Sequence, residues 1–191
     1  MGYAGMLFCC FFGIVQESVP VRLSVALHNQ ADLPAGQLES VRDRVAEIFR
    51  DAGVQIVWHQ GPPALQTPAR FVVSVLLRKH DPNWAPNRRP VMGMALASDQ
   101  RRGTTMIYYQ AIAGVARKYN HSVIDLLAIA VTHEIGHLLL PHPAHAAEGI
   151  MRADWEGDDI RHAVSAPLQF TAVQAELVRL KLSGASEKPR E

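Results

Sequence analysis

Beyond Cys10 the sequence contains no cysteine, and its two cysteines, Cys9 and Cys10, sit side by side in an apolar N-terminal run. The rest of the chain therefore has no disulfide framework, and no thiolate to serve as nucleophile or metal ligand. An excess of charge is also missing. Nineteen Lys and Arg stand against 18 Asp and Glu, the formal net charge is +1, and no basic patch stands out. Nucleic acid is accordingly a poor fit as a partner. Long hydrophobic runs are lacking too. The uncharged stretch Ala4 to Val15 (AGMLFCCFFGIV) has twelve residues, whereas a stable membrane span needs about 20. Its length suits the apolar core of a secretory signal peptide, although no Lys or Arg precedes it and no A-x-A site follows. Residues 1–18 are read as a signal-like segment, so a secreted or periplasmic location is expected. A cytoplasmic one follows if the run is instead an N-terminal strand.

With 48% hydrophobic and 19% charged residues among 191, the remainder has the balance of one globular domain able to bury a core. That domain is expected over residues 19–182, followed by a polar tail at 183–191. Five β-prone stretches stand out: Val21 to Leu27, Val54 to Trp58, Phe71 to Leu77, Val91 to Ala97 and Thr104 to Tyr109. Between the first two, Leu38, Val41, Val45, Ile48 and Phe49 recur at helical spacing, and Gly53 closes that helix. Ser122 reads as the N-cap of a second helix with Asp125 at its third position. This helix runs to about Leu139, is apolar on nearly every face and is expected to be buried, and Pro141 and Pro143 stop it. A last helix, from about Thr171 to Leu182, is expected to bury Val173, Leu177 and Leu180. The predicted order is strand, helix, four strands, buried helix, irregular segment, helix.

The buried helix carries His133-Glu134-Ile135-Gly136-His137. Positions four apart lie on one helix face, with Cβ atoms about 5–6 Å apart, so His133 and His137 can turn two imidazoles toward one metal ion. Glu134 is offset by about 100°, close enough to reach a metal-bound water without being a third ligand. H-E-x-x-H on a helix is the pattern zinc peptidases use, with the Glu as general base. Zinc lowers the pKa of bound water to about 7. Glu134 would take that water's proton and pass it to the leaving amine. Two histidines that merely pack in a buried helix are the plainer alternative. Against it stand the Glu, since an unpaired carboxylate is costly among apolar neighbours, and the crowding of four of nine histidines between residues 133 and 145. A catalytic site needs a third protein ligand and one open position, and the residues leave His142, His145, Glu148 and, more distantly, Asp154 as candidates.

The string HEIGHLLLPHPAH followed by GIMR resembles the metzincin clan of zinc metallopeptidases, and most of all small bacterial members in which Gly-Ile-Met-Arg closely follows the third His. The resemblance implies His133, His137 and His145 as ligands of one catalytic Zn2+, Glu134 as base and Met151 as the Met-turn beneath them. It also implies an α+β fold: a twisted mixed sheet of the five strands with a backing helix, a buried active-site helix, the Met-turn and a C-terminal helix. The chain departs from the clan's usual spacing, which places a glycine at Leu140 and the third His at Pro143. The third His falls at His145, or at His142. Ala153 occupies the position where some families carry a Tyr. By the same resemblance, the strand near Val91 to Ala97 would be an exposed edge that aligns an extended peptide. The expected function is zinc-dependent hydrolysis of peptide or protein substrates, with a non-catalytic zinc-stabilised binding domain as the alternative. A deformylase is excluded by the missing Cys ligand. A three-His endoribonuclease is disfavoured because Pro143 stands where its His would be.

Overall fold

The computed structural model describes residues 21–59, 71–81, 91–97, 101–153 and 168–184. The signal-like run, Trp84, Asp154, Trp155, His162 and nearly all of the polar tail lie outside them. Along the chain come β1 (Val21–Gln30), α1 (Ala35–Asp51), β2 (Val54–His59), β3 (Val72–Arg78), β4 (Gly93–Ala97) and β5 (Arg102–Tyr108), then α2 (Tyr109–Tyr119), α3 (Val123–Leu139) and α4 (Ala172–Ser183). The strands form a five-stranded sheet in the order β2-β1-β3-β5-β4. Neighbours are parallel except β4, which runs antiparallel to β5 at one edge. This is the mixed sheet expected from the sequence.

Aligned residues on neighbouring strands share a face. Leu27, Val75 and Thr105 stand in one such row, and Leu77 and Ile107 in the next. All five are buried, along with Leu23, Val25 and Val73. Helices α1 and α3 cover this face. From α1 come Val41, Val45, Ile48 and Phe49, and α3 buries eleven of its residues. Each fully buried Leu or Ile contributes about 1.5–3 kcal/mol, so α3 is held by its apolar residues while its polar ones are carried along. Ser122 caps it by accepting from the Asp125 backbone N–H at 3.3 Å. The Asp125 carboxylate turns to Arg44 of α1 at 3.6 Å rather than back to the cap. No helix among the described residues is long and apolar enough to cross a membrane.

Two expectations need correction. A further helix, α2, lies between β5 and α3, in a stretch assigned no element from its sequence. It buries Ile112 and Ala116 and ends at Asn120 in the left-handed conformation. Gly114 at its centre weakens the local helical signal, and packing against α3 supplies what propensity lacks. Second, α4 buries Gln174, Ala175, Val178 and Leu182. Val173 is 71% exposed, and Leu177 and Leu180 are half-buried. The expected stripe was one position out of phase with the face that meets α3 and β1.

Since the Ser122 hydroxyl satisfies an otherwise orphaned amide, Ser122→Ala is expected to lower stability by about 1 kcal/mol. Ser122→Asn is expected to retain most of it. Urea denaturation checks both.

Candidate metal centre

His133 and His137 project from adjacent turns of α3, and the irregular segment after Leu139 returns beneath them with His145. The segment turns through a cis His142–Pro143 bond. It is then pinned by a bridge between Ala146 and Arg152, with the Ala146 N–H donating to the Met151 carbonyl at 2.9 Å. Gly149 takes φ of +74°, and a Cβ there would lie 2.8 Å from the Gln169 carbonyl oxygen. Only glycine suits that turn. Ile150 and Met151, just beyond it, are fully buried. A side chain at Gly136 would overlap the Met151 sulfur, so the methionine packs directly on the helix between the two histidines.

One ligand atom from each of His133, His137 and His145 can lie within 4.8 Å of the others. Ring centroids stand 4.7 Å apart for His133–His137, 5.5 Å for His133–His145 and 4.6 Å for His137–His145. His133 Nδ1 lies 2.8 Å from the Ile150 carbonyl. The carbonyl only accepts, so the proton sits on Nδ1 and the Nε2 lone pair faces inward, where His137 Nε2 is 3.0 Å away. Nitrogens bound at about 2.0–2.1 Å to one tetrahedral ion stand about 3.3 Å apart. The triad suits zinc in donor type, tautomer and spacing, and a backbone carbonyl holding the outer ring nitrogen is the usual support for such a ligand.

Of the other candidates, His142 lines the same cleft without belonging to the triad, Glu148 is exposed and outside it, and Asp154 lies outside the described residues. Trp58 packs on the core under the Arg42 guanidinium, 5.7 Å from the ring centre. His59 is satisfied by Ser24 at 3.1 Å. His121 Nε2 is buried and has no hydrogen-bond partner among the described residues.

The cleft over the triad has a volume of about 620 Å³, and its apolar walls include Val91, Met92 and Ala95 on one side and Leu126, Ile129 and Ala130 of α3 on the other. Burial raises the Glu134 carboxyl from 4.5 to about 7. Burial also lowers His137 from 6.5 to about 4, aided by the neighbouring imidazoles of His133, His145 and His142. His133 is lowered chiefly by burial, against the opposing pull of the Ile150 carbonyl. The imidazoles are thus kept neutral, the form that binds metals, beside a carboxyl poised near neutral pH.

Searches with the whole chain find no matching family model and no curated protein that matches by sequence. Solved structures do match. The archaemetzincin of Methanopyrus kandleri superposes with a TM-score of 0.53 at 14% identity, covering 89% of this chain and 99% of that one. A zinc-dependent peptidase from Methanocorpusculum labreanum gives 0.54 at 13% identity, covering 82% of this chain and 99% of that one. The fold is therefore shared with an archaemetzincin and a zinc-dependent peptidase. Within this fold, the feature the sequence reading passed over is Gly93. A glycine inside a β-prone stretch marks a bulge or a close backbone approach, and here β4 passes directly over Glu134.

The two opposed shifts make the metal-free protein's stability depend on pH. A folded pKa of about 7 for Glu134 means its contribution is full below pH 4.5 and is lost as pH rises through 7. A folded pKa of about 4 for His137 means stability is lost as pH falls from 6.5 toward 4. Glu134→Gln removes the first effect and leaves the second. Denaturation of the metal-free proteins between pH 4 and 8 is expected to show a gain over wild type above pH 7 that shrinks to nothing near pH 4.5, with acid loss in both.

Proposed function

We propose that the chain is a zinc-dependent peptidase that hydrolyses peptide bonds within peptide or protein substrates, using one zinc ion held by His133, His137 and His145. The observation that carries this reading is the convergence of three imidazoles and a buried carboxyl in one cleft beneath a sheet edge. Its support from outside the chain is a fold shared with an archaemetzincin and a zinc-dependent peptidase. Met151 serves as the Met-turn, an apolar floor that fixes the ring positions from below.

Bound zinc supplies Lewis acidity, lowering the pKa of water to about 7 and polarising a scissile carbonyl. The chain's own groups do the rest. Glu134 accepts the attacking water's proton and delivers it to the leaving nitrogen, a task suited to a carboxyl whose pKa lies near the working pH. The apolar walls keep bulk water from the exchange and strengthen each charge interaction inside. The peptide lies along β4. Tyr108 N–H donates to the Met92 carbonyl at 2.9 Å, and in the antiparallel register Met92, Met94 and Leu96 turn their backbone groups to β5. Gly93 and Ala95 turn theirs outward, where an extended chain can add as a further strand.

Wild type is expected to contain one zinc and to cleave casein, with activity abolished by chelation and restored by zinc. Glu134→Ala is expected to retain zinc and lose about 10²–10⁴-fold in kcat. His145→Ala is expected to lose zinc, and His142→Ala to keep it. A full complement of zinc in wild type with no cleavage of casein or a peptide library would overturn this in favour of a zinc-stabilised binding domain.

A further inference from the structure

A Cβ built on Gly93 would lie 2.7 Å from Glu134 Cγ, 2.9 Å from Oε1 and 3.0 Å from Cδ. Three atoms of one side chain therefore fill the space that any other residue at position 93 would occupy. Gly93 is paired with Ile107 on the face of β4 that meets α3, and its neighbours in the cleft, Met92 and Ala95, carry side chains. The three nearest atoms all belong to the carboxylate arm itself. Carboxyl and strand are also both anchored: Glu134 by the most buried helix of the fold, β4 by its pairing along β5.

We infer that Gly93 is a positioning residue for Glu134: the bare backbone of β4 at this rung forms the roof against which the carboxylate is held. The inference rests on the peptidase reading for its functional consequence. Gly93 also turns its own N–H and C=O to the open edge. The rung that holds the carboxylate therefore also offers backbone hydrogen bonds to a peptide added along that edge. A methyl group at this position would meet the carboxylate arm first and push it aside. Displacements on the scale of 1 Å lower rates by about 100-fold.

The test is a double-mutant cycle on the full chain, combining Gly93→Ala with Glu134→Ala and with Glu134→Asp, whose arm is one methylene shorter. In the metal-free protein, Gly93→Ala is expected to lower the melting temperature by several degrees. That loss is expected to disappear in the Glu134→Ala background and to shrink in the Glu134→Asp background. In the zinc-loaded protein, Gly93→Ala is expected to keep its zinc, lose about 100-fold in kcat on a fluorogenic peptide library, and change KM far less. Adding Gly93→Ala to Glu134→Asp is expected to cause little further loss. Equal melting shifts in all three backgrounds, or a Gly93→Ala enzyme with wild-type kcat, would overturn the inference. A zinc-loaded wild type that cleaves nothing overturns the peptidase reading instead, and the melting cycle still decides whether Gly93 holds Glu134.

Discussion

Helix α3 lies nearer to its surroundings than side chains permit at three places, and the geometry of the site depends on that closeness. On the sheet side, a Cβ at Gly103 would fall 2.5 Å from Leu138 Cδ1, and one at Gly93 would fall on the Glu134 arm. On the opposite side, Gly136 has given up its own side chain to the Met151 sulfur. Two strands and one turn thus grip the same helix over little more than a single turn, Glu134 to Leu138. Interiors packed at crystal-like density yield little to strain, so the imidazoles and carboxyl on this turn inherit the rigidity of their apolar neighbours. The Ile150 carbonyl fixes the tautomer of one ring, and the clamped helix fixes the spacing of the other.

Placing these groups on the most apolar helix carries an electrostatic consequence that is also their chemistry. Desolvation disfavours charge of either sign. It raises Glu134 and lowers His133 and His137, so the metal-free site tends toward neutrality in all three groups. A divalent cation changes that balance, because imidazole lone pairs and a nearby carboxylate are what it attracts. Lowered imidazoles and a carboxyl with a pKa near neutrality therefore come from one cause, the exclusion of water from this face of α3.

The sequence made the sheet and the central helix legible because both rest on strong local patterns. Strand stretches alternate or are wholly apolar, and Ser122 with Pro141 bounds the helix at both ends. The triad pair was legible for the same reason, since four-residue spacing on a helix dictates a shared face. What local pattern could not reveal lies where tertiary contacts decide. Helix α2 contains a glycine and gains its stability from packing on α3. In α4, Arg179 reaches back to donate to the Ala52 carbonyl at 2.8 Å and Gln174 closes a capping box with Thr171, and these contacts settle which face turns inward despite the hydropathy of Val173. Gly93 left a trace, a glycine within VMGMALA, but what it approaches is set by a helix forty residues further on.

The loop after α3 shows why the third histidine is found where it is. A loop that brings a side chain back under its own helix must reverse within a few residues and then hold its end still. Here two prolines follow the helix in place of a glycine at Leu140, and the chain travels two residues further before His145 comes level with His137. The added length would loosen His145 if nothing restrained it, because each further free residue enlarges the volume its ring can sample. The bridge between Ala146 and Arg152 begins one residue past His145 and closes around Gly149, and Ile150 N–H donates to the Gln169 carbonyl at 3.0 Å. The restraint therefore acts where the extra length ends. His142 lies ahead of this restrained stretch and lines the cleft without joining the three-histidine group.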